Sequence, residues 1–507
     1  MMHLPLLPVL VPLAAAILQL ALHRAGIAGQ RTIGLGSAGL SVLLALALLW
    51  TTGDGAVRVV ALGNWPAPFG ILVVADRLAA TMVAVTAAVA LPALLAATGG
   101  ADRLGRHFHP FFQLQLAGVN GAFLTGDLFN LFVFFEVMLI ASYTLLAHGA
   151  GPERARAALH YVVLNLAGSL VFLIALGLLY GTLGTLSIAD LAGRVAALPA
   201  EHAAPARAAF ALLLAVFAFK AALVPLGLWL PHAYGAATAP VAAIFSVLTK
   251  VGIYAILRLS TAVFPAADWT AGLLAPWLMP VALGTVVVAT LGVLAARRLG
   301  AMVANLLLLS TGMLAAAVAE GGPRMLAAML YYLPHTTLVS AALFLLVGRI
   351  ADARGEVGDR IVHAPRPERW RWHAAAWLAL AIAVTGLPPL SGFLGKVMLL
   401  SAAPAGPTGA AMWVTFILSG FAGALAMARA GSVVFWERAD QPAAAQTSAV
   451  LPGAALGVAL CCVPLLVVGA APLSTHARAV AEQVLARQPY LAAALPGPEA
   501  APRERRP

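Results

Sequence analysis

Charge is scarce in this chain. Only 10% of its 507 residues are Asp, Glu, Lys or Arg, while 62% are hydrophobic and the mean hydropathy is +0.95. Soluble domains carry about 25% charged and roughly 45–50% apolar residues, so a soluble globular chain is excluded. Cysteine is nearly absent as well: Cys461 and Cys462 are the only two, adjacent in an apolar run. That leaves no disulfide framework, zinc spacing or iron–sulfur pattern, and the pair reads as packing residues. No metal or cofactor is expected. The net charge of +11 is spread over many short loops rather than gathered on one face or arm, so nucleic acid is not an expected partner.

What the chain has in abundance is apolar runs of about 20 residues, each long enough to cross a hydrocarbon core of roughly 30 Å. They fall near 4–22, 32–50, 72–97, 109–126, 128–147, 158–181, 208–230, 238–260, 271–295, 301–319, 324–348, 372–401, 408–435 and 449–472. The expectation is an all-α integral membrane protein of about fourteen transmembrane helices, leaving no room for a soluble domain. The first run lacks the positive flank of a signal peptide and reads as the first helix. The tail, 473–507, is rich in Ala, Pro and Arg and is expected to form at most a short helix.

An even count puts both termini on one side, and arginine in short loops chooses the side. With the termini outside, the inner loops hold sixteen arginines: Arg24, Arg31, Arg103, Arg106, Arg154, Arg156, Arg297, Arg298, Arg349, Arg354, Arg360, Arg366, Arg369, Arg371, Arg429 and Arg438. The outer short loops hold four, Arg58, Arg194, Arg207 and Arg324. Both termini are therefore expected on the outer face. The 349–371 loop could also bind anionic lipid. Asp76 and Arg77, adjacent at the start of the third span, read as an interfacial pair.

Lysine carries the functional argument. The chain has 27 Arg and three Lys, and Lys220, Lys250 and Lys396 all lie inside expected spans. Arginine stays protonated almost anywhere, whereas a buried lysine can gain and lose a proton near neutrality. A charge at mid-bilayer costs roughly 2.5–3.5 kcal/mol on insertion scales, so three of them point to an ion or proton pathway. One intramembrane carboxylate answers them: Glu136, in GDLFNLFVFFEVMLIASYTLL. A carboxylate paired with an ammonium favours both charged forms, and breaking the contact would release the proton. The sequence does not say which lysine Glu136 meets. A static ion pair holding two helices in register is the alternative, although it leaves two lysines unexplained.

Two spans are broken. After Lys220 the chain reads AALVPLGLWLP, and after Thr385 it reads GLPPLSGFLGK. A mid-span proline removes a backbone hydrogen bond and clashes with the preceding turn. Paired interruptions in corresponding halves point to inverted repeats around a mid-membrane site. The expected organisation is helices 1–3 over 1–108, a first repeat (helices 4–8) over 109–260, a second (helices 9–13) over 271–435, and helix 14 over 449–472, with helices 7 and 12 broken. Candidate polar links are His232, Ser246, Thr249 and Tyr254 near Lys250, then Ser310, Thr311, Tyr331, Tyr332, His335 and Ser340. Histidine titrates near neutrality, which singles out His335.

The runs GDLFNLFVFFEVMLIASY, FKAALVPLGLWLPHAY, PVAAIFSVLTKVGIYAILR and TGLPPLSGFLGK, in that order, resemble the D subunit of the multisubunit Mrp/Mnh/Pha-type monovalent cation:proton antiporters. That family is similar in turn to the antiporter-like membrane-arm subunits of respiratory NADH:quinone oxidoreductase. The resemblance spans about residues 4 to 470 and implies fourteen helices in two inverted five-helix repeats about a polar axis. By motif it assigns Glu136 to the family's fifth-helix glutamate and Lys220, Lys250 and Lys396 to the lysines of helices seven, eight and twelve. Many relatives carry a further lysine on helix eleven, where this chain has Ser340 in HTTLVSAALFL; this segment resembles the potassium-linked Pha branch. The implied function is proton translocation through Glu136, Lys220, Lys250, His335 and Lys396 in exchange for Na⁺ or K⁺, with His232, Thr249, Tyr254 and Ser340 in support. The implied partners are other hydrophobic antiporter subunits and membrane lipids, and the implied location is the bacterial cytoplasmic membrane. A proton-pumping subunit of a quinone oxidoreductase or membrane hydrogenase is the alternative.

Overall fold

A computed structural model describes residues 3–22, 24, 26–364, 370–436 and 450–495. Arg366, Arg369 and Arg438 of the inner-loop set, and residues 496–507 of the tail, lie outside the described residues. The helices are α1 (Leu7–Ala21), α2 (Gly26–Thr52), α3 (Arg77–Ala97), α4 (Phe108–Leu124), α5 (Leu128–Ala147), α6 (Pro152–Leu183), α7 (Ile188–Ala197), α8 (Ala204–Lys220), α9 (Leu230–Ala236) and α10 (Ala239–Phe245). They continue as α11 (Leu248–Ala262), α12 (Ala275–Ala295), α13 (Leu299–Glu320), α14 (Pro323–Ala353), α15 (Trp370–Thr385), α16 (Ser391–Ser401), α17 (Pro407–Gly431), α18 (Val450–Val468), α19 (Ala470–Ala486) and α20 (Gln488–Ala494).

Among the described residues ten helices are long and apolar enough to cross a membrane. The other four stretches expected to span fall on shorter helices, which do not pass that test on their own. One is α4, with 17 residues; two are the broken pairs α8–α9 and α15–α16; the last is α18, which turns 79° at Gly469 into α19. The centre is occupied by α10–α11, α13 and α14, which are almost wholly buried, whereas α6, α12 and α17 bury only a third of their apolar windows. Leu170, Ile174, Leu418 and Phe421 project from those outer helices, the pattern of a lipid- or partner-facing surface.

Local chemistry explains where the elements begin and stop. Asp76 and Asp127 cap α3 and α5, each accepting from the backbone N–H three residues on at 2.8 Å, as a good N-cap residue does. The first break follows from Pro225, which cannot donate to the helix ladder. One backbone donor inside the break is satisfied from outside it, since Val224 N–H donates to Thr285 Oγ1 on α12 at 3.0 Å. The turn leaves no room for a side chain at Gly227, where a Cβ would lie 1.7 Å from the Ala222 carbonyl oxygen. At the second break the N–H groups of Gly386 and Leu387 both return to Ile382 O, a left-handed glycine stop with φ +82°.

Several expectations are corrected. A two-stranded antiparallel hairpin, β1 (Arg58–Ala61) with β2 (Leu72–Ala75), interrupts the helical plan between α2 and α3. Asp76 does not pair with Arg77. It accepts two hydrogen bonds from Arg258 at 2.6 and 3.0 Å, both side chains buried, while Arg77 turns to the carbonyls of Thr52, Gly53 and Ala479. The described part of the tail, to residue 495, is ordered helix rather than a frayed end: α19 packs on α14, α11 and α3, and Gln483 Oε1 accepts from Arg77 N–H at 3.0 Å. Cys461 is exposed and Cys462 partly so, so neither fills the core. Arg354 is committed to its own loop, donating to Gly358, Arg360 and Val362 carbonyls.

Candidate proton-translocation site

The site is assembled from three clusters. In the first, Glu136 lies half-buried on α5. Across from it, Asn165 and Ser169 occupy one face of α6, four residues apart. Lys220 is the last residue of α8, where the helix dipole favours a positive charge, and it is 5% exposed. The Ser169 hydroxyl donates to Glu136 Oε1, and Lys220 Nζ donates to Ser169 Oγ at 3.2 Å and to Asn165 O at 3.4 Å. Glu136 therefore meets Lys220 through Ser169, and no direct ion pair joins them among the described residues.

Lys250 forms the second cluster. It is fully buried on α11 and its Nζ has no hydrogen-bond partner among the described residues. An unpartnered buried ammonium costs several kcal/mol, more than a neutral group. The segment entering this helix is tightened: Ser246, Val247 and Lys250 N–H groups each reach back three residues, the 3₁₀ pattern common at strained or functional turns. Ser246 Oγ donates to Thr337 O on α14 at 3.3 Å, and Thr311 on α13 donates to Thr249 at 3.4 Å. Gly252 lets α11 lie against the end of α8; a Cβ there would sit 2.5 Å from Ala221 N.

The third cluster surrounds the second break. His335 Nδ1 and Ser391 Oγ are 2.8 Å apart, and Ser391 is the first residue of α16. Lys396 Nζ donates to the carbonyls of Thr385 at 2.7 Å and Val384 at 3.4 Å, oxygens left free where α15 ends. Gly392 permits the crossing, because a Cβ would meet Ala383 O at 2.0 Å and His335 Nε2 at 2.8 Å.

All three lysines are thus buried, each at or beside a helix interruption, and among the described residues none has a carboxylate in contact. Of the supporting residues, Thr249 and Ser340 are buried. His232 is exposed on α9 and takes no part in the buried chain. The Tyr254 hydroxyl donates to Phe123 O at 2.6 Å and accepts from Arg258, so it serves the Asp76 cluster rather than Lys250. Ser169, Asn165, Ser391 and Arg258 were not singled out from sequence; an arginine inside an expected span was the one signal available. Among the described residues no three His, Cys, Asp or Glu side chains gather as a metal site would.

Residues 125–424, more than half of the chain, match the family described as NADH:quinone oxidoreductase/Mrp antiporter, transmembrane. The D subunit of a probable K⁺/H⁺ antiporter of Rhizobium meliloti is 42% identical over 86% of this chain and 87% of its own. The D subunit of the Na⁺/H⁺ antiporter of Alkalihalophilus pseudofirmus is 36% identical over 80% and 81%. Among solved structures, a chain of the Mrp complex from Dietzia sp. superposes with TM-score 0.88 at 28% identity, covering 97% of this chain and 99% of that one. A chain of respiratory complex I from Thermus thermophilus gives 0.78 at 27%, covering 96% and 100%. The chain belongs to the NADH:quinone oxidoreductase/Mrp antiporter transmembrane family, among the D-type antiporter subunits related to the membrane arm of complex I.

Proposed function

We propose that this chain is the proton-carrying D subunit of a multisubunit monovalent cation:proton antiporter in a bacterial cytoplasmic membrane, both termini on the outer face. Other hydrophobic subunits of that complex are its partners. The observation that carries the reading is the bridge Glu136–Ser169–Lys220. A hydroxyl that donates to a carboxylate and accepts from an ammonium couples the two charges, and rotating it away breaks that coupling, which changes how well the charged lysine is held. Lys250, unpartnered at the next cluster, accepts the proton, and Lys396 exchanges it across the second break, with His335 between them. A charge moved through 100 mV gains about 2.3 kcal/mol, on the scale of the roughly 2.5–3.5 kcal/mol insertion penalty of a lysine, so membrane potential can bias the relay.

The Rhizobium relative is named for potassium and the Alkalihalophilus relative for sodium. The higher identity to the first supports K⁺ as the exchanged cation. The second reading, a proton-pumping subunit of a redox complex, is favoured by the equally good superposition on a chain of an archaeal membrane-bound sulfane sulfur reductase, TM-score 0.88 at 25% identity.

The test is cation-dependent proton flux in everted vesicles carrying the whole complex, with wild type, Glu136→Ala and Lys220→Ala compared under Na⁺ and K⁺. Loss of exchange in both assembled variants supports the relay. Persistence in either removes that residue from it. Co-purification of flavin or iron–sulfur subunits in place of hydrophobic antiporter subunits would favour the redox reading.

A further inference from the structure

Away from the lysine clusters, a groove of about 470 Å³ opens where α14 begins, α16 ends and α19 crosses them. Pockets for small polar molecules run from about 300 to 1,000 Å³. Ala328, Met398 and Ala402 wall the groove, and three charged side chains line it: Arg324 at the start of α14, and Arg478 and Glu482 on α19. All three are exposed. Arg478 and Glu482 stand four residues apart, a spacing at which opposite charges on a helix can pair. They stay apart, and among the described residues no ion pair ties any of the three to another residue.

An apolar surface leads away from the groove. Phe393, Val397 and Ser401 follow one another every four residues along α16, on one face of the helix. Phe393 is 36% and Val397 40% exposed, while Ser401 lines the groove. At about 1.5 Å per residue this stripe runs for roughly 12 Å. Apolar along its length and ionic at the helix end, it has the profile of a bilayer boundary, where chains meet one part and headgroups the other. The helix ends have matching polarity. No side chain caps the start of α14, whose positive end favours a phosphate, whereas the negative end of α16 favours a cation.

We infer that this groove seats one phospholipid of the phosphoethanolamine class. Arg324 and Arg478 donate to the phosphate oxygens, the partners a guanidinium fork suits best. The ammonium, two carbons further on, meets Glu482 and the end of α16. The acyl chains descend along Val397 and Phe393. Other headgroups leave part of the site unanswered. Phosphatidylglycerol brings the phosphate but no cation for Glu482, and phosphatidylcholine brings a cation without N–H donors. Seated there, the lipid bridges α14, α16 and α19 and steadies the helix that carries Lys396. The site does not depend on the roles given to Glu136 and the lysines.

Phosphatidylethanolamine with a photoreactive acyl chain, added to the delipidated intact complex, tests it. Cross-links mapped by peptide mass spectrometry should fall on α16 around Val397 and Phe393. Unlabelled phosphatidylethanolamine should compete about three- to fivefold better than phosphatidylglycerol, the scale of one exposed ion pair. Glu482→Gln should erase that preference and keep the label, whereas Arg324→Ala combined with Arg478→Ala should cut labelling about tenfold. Equal competition by the two lipids in the wild type would overturn the ethanolamine assignment. A wild-type complex with no label on α16, as when a partner subunit covers the stripe, would overturn the site. Labelling that survives loss of both arginines would overturn it as well. The mapping and the competition use unsubstituted protein, so they decide the matter even where a variant fails to assemble.

Discussion

The hydroxyl of Ser169 stands between Glu136 and Lys220, donating to the carboxylate and accepting from the ammonium at 3.2 Å. Ser169→Ala should cost about 1.5–3 kcal/mol of coupling between the two charges, the range for a hydrogen bond to an ionised group. In exchange assays on vesicles this reads as a fall of about tenfold or more, since 1.4 kcal/mol is a factor of ten. Undiminished exchange with normal assembly would show that the serine is a bystander.

Asp76 and Arg258 form a buried bidentate pair, with the Tyr490 ring 4.8 Å from the guanidinium. Removing one partner leaves the other charge uncompensated, at a cost of about 3–5 kcal/mol. Asp76→Asn and Arg258→Met should each lower the thermal unfolding temperature of the detergent-solubilised complex. The double variant should lose less than the two singles summed, because neither charge is then stranded. Additive losses would mean that the two side chains act independently.

Gly252 sits where α11 touches α8, and a Cβ would meet the backbone at the end of α8, Ala221 N at 2.5 Å and Phe217 O at 2.8 Å. Neither atom can swing aside. Gly252→Ala should destabilise by about 1–3 kcal/mol, as overpacking does, and should separate the helix carrying Lys250 from the end carrying Lys220. The expected signature is a fall in exchange larger than the fall in assembled complex. Exchange that merely tracks assembly would confine the effect to packing.

Burial pushes the Asp102 carboxyl upward, but the His109 and Arg31 hydrogen bonds outweigh it and hold it at about 2. An unfolded aspartate titrates near 3.9, so the folded value is depressed. The stability it contributes is complete above the unfolded value and is lost as pH falls from about 4 through about 2. Melting temperatures should therefore show no Asp102 contribution to any slope between pH 5 and 8. Asp102→Asn should lower them across that window. An unchanged melting temperature in the variant would contradict the assignment.

Much of the plan was legible because it rests on strong local signals. Pro225 and Pro389 stand in the two breaks beside glycines that the turns require, Gly227 and Gly386, and a lysine inside an apolar span has few structural excuses. Ser169 was invisible because a serine in an apolar helix leaves no pattern until folding puts it opposite Glu136, 33 residues away. Asp76 misled because its sequence neighbour, Arg77, is a plausible partner, whereas the true one is 182 residues on. Helix α19 was overlooked for a different reason. Its buried stripe, Ala477, Val480, Ala481 and Val484, has the right spacing, but its small side chains bury little area and resemble a tail.

That same helix gives the molecule a fixed end. By lying across α3, α11 and α14, and locking onto Arg77 through Gln483, α19 acts as a tie-bar over three helices far apart in the chain. A structure clamped at one end flexes like a pair of tongs. Any rocking between the halves is expected to widen the opposite mouth, where the charged loops of Glu153, Arg298 and Asp359 meet, and to leave the tied end nearly still. Spin-label distances across the two ends during turnover would separate this from a pivot at the centre, which would move both equally.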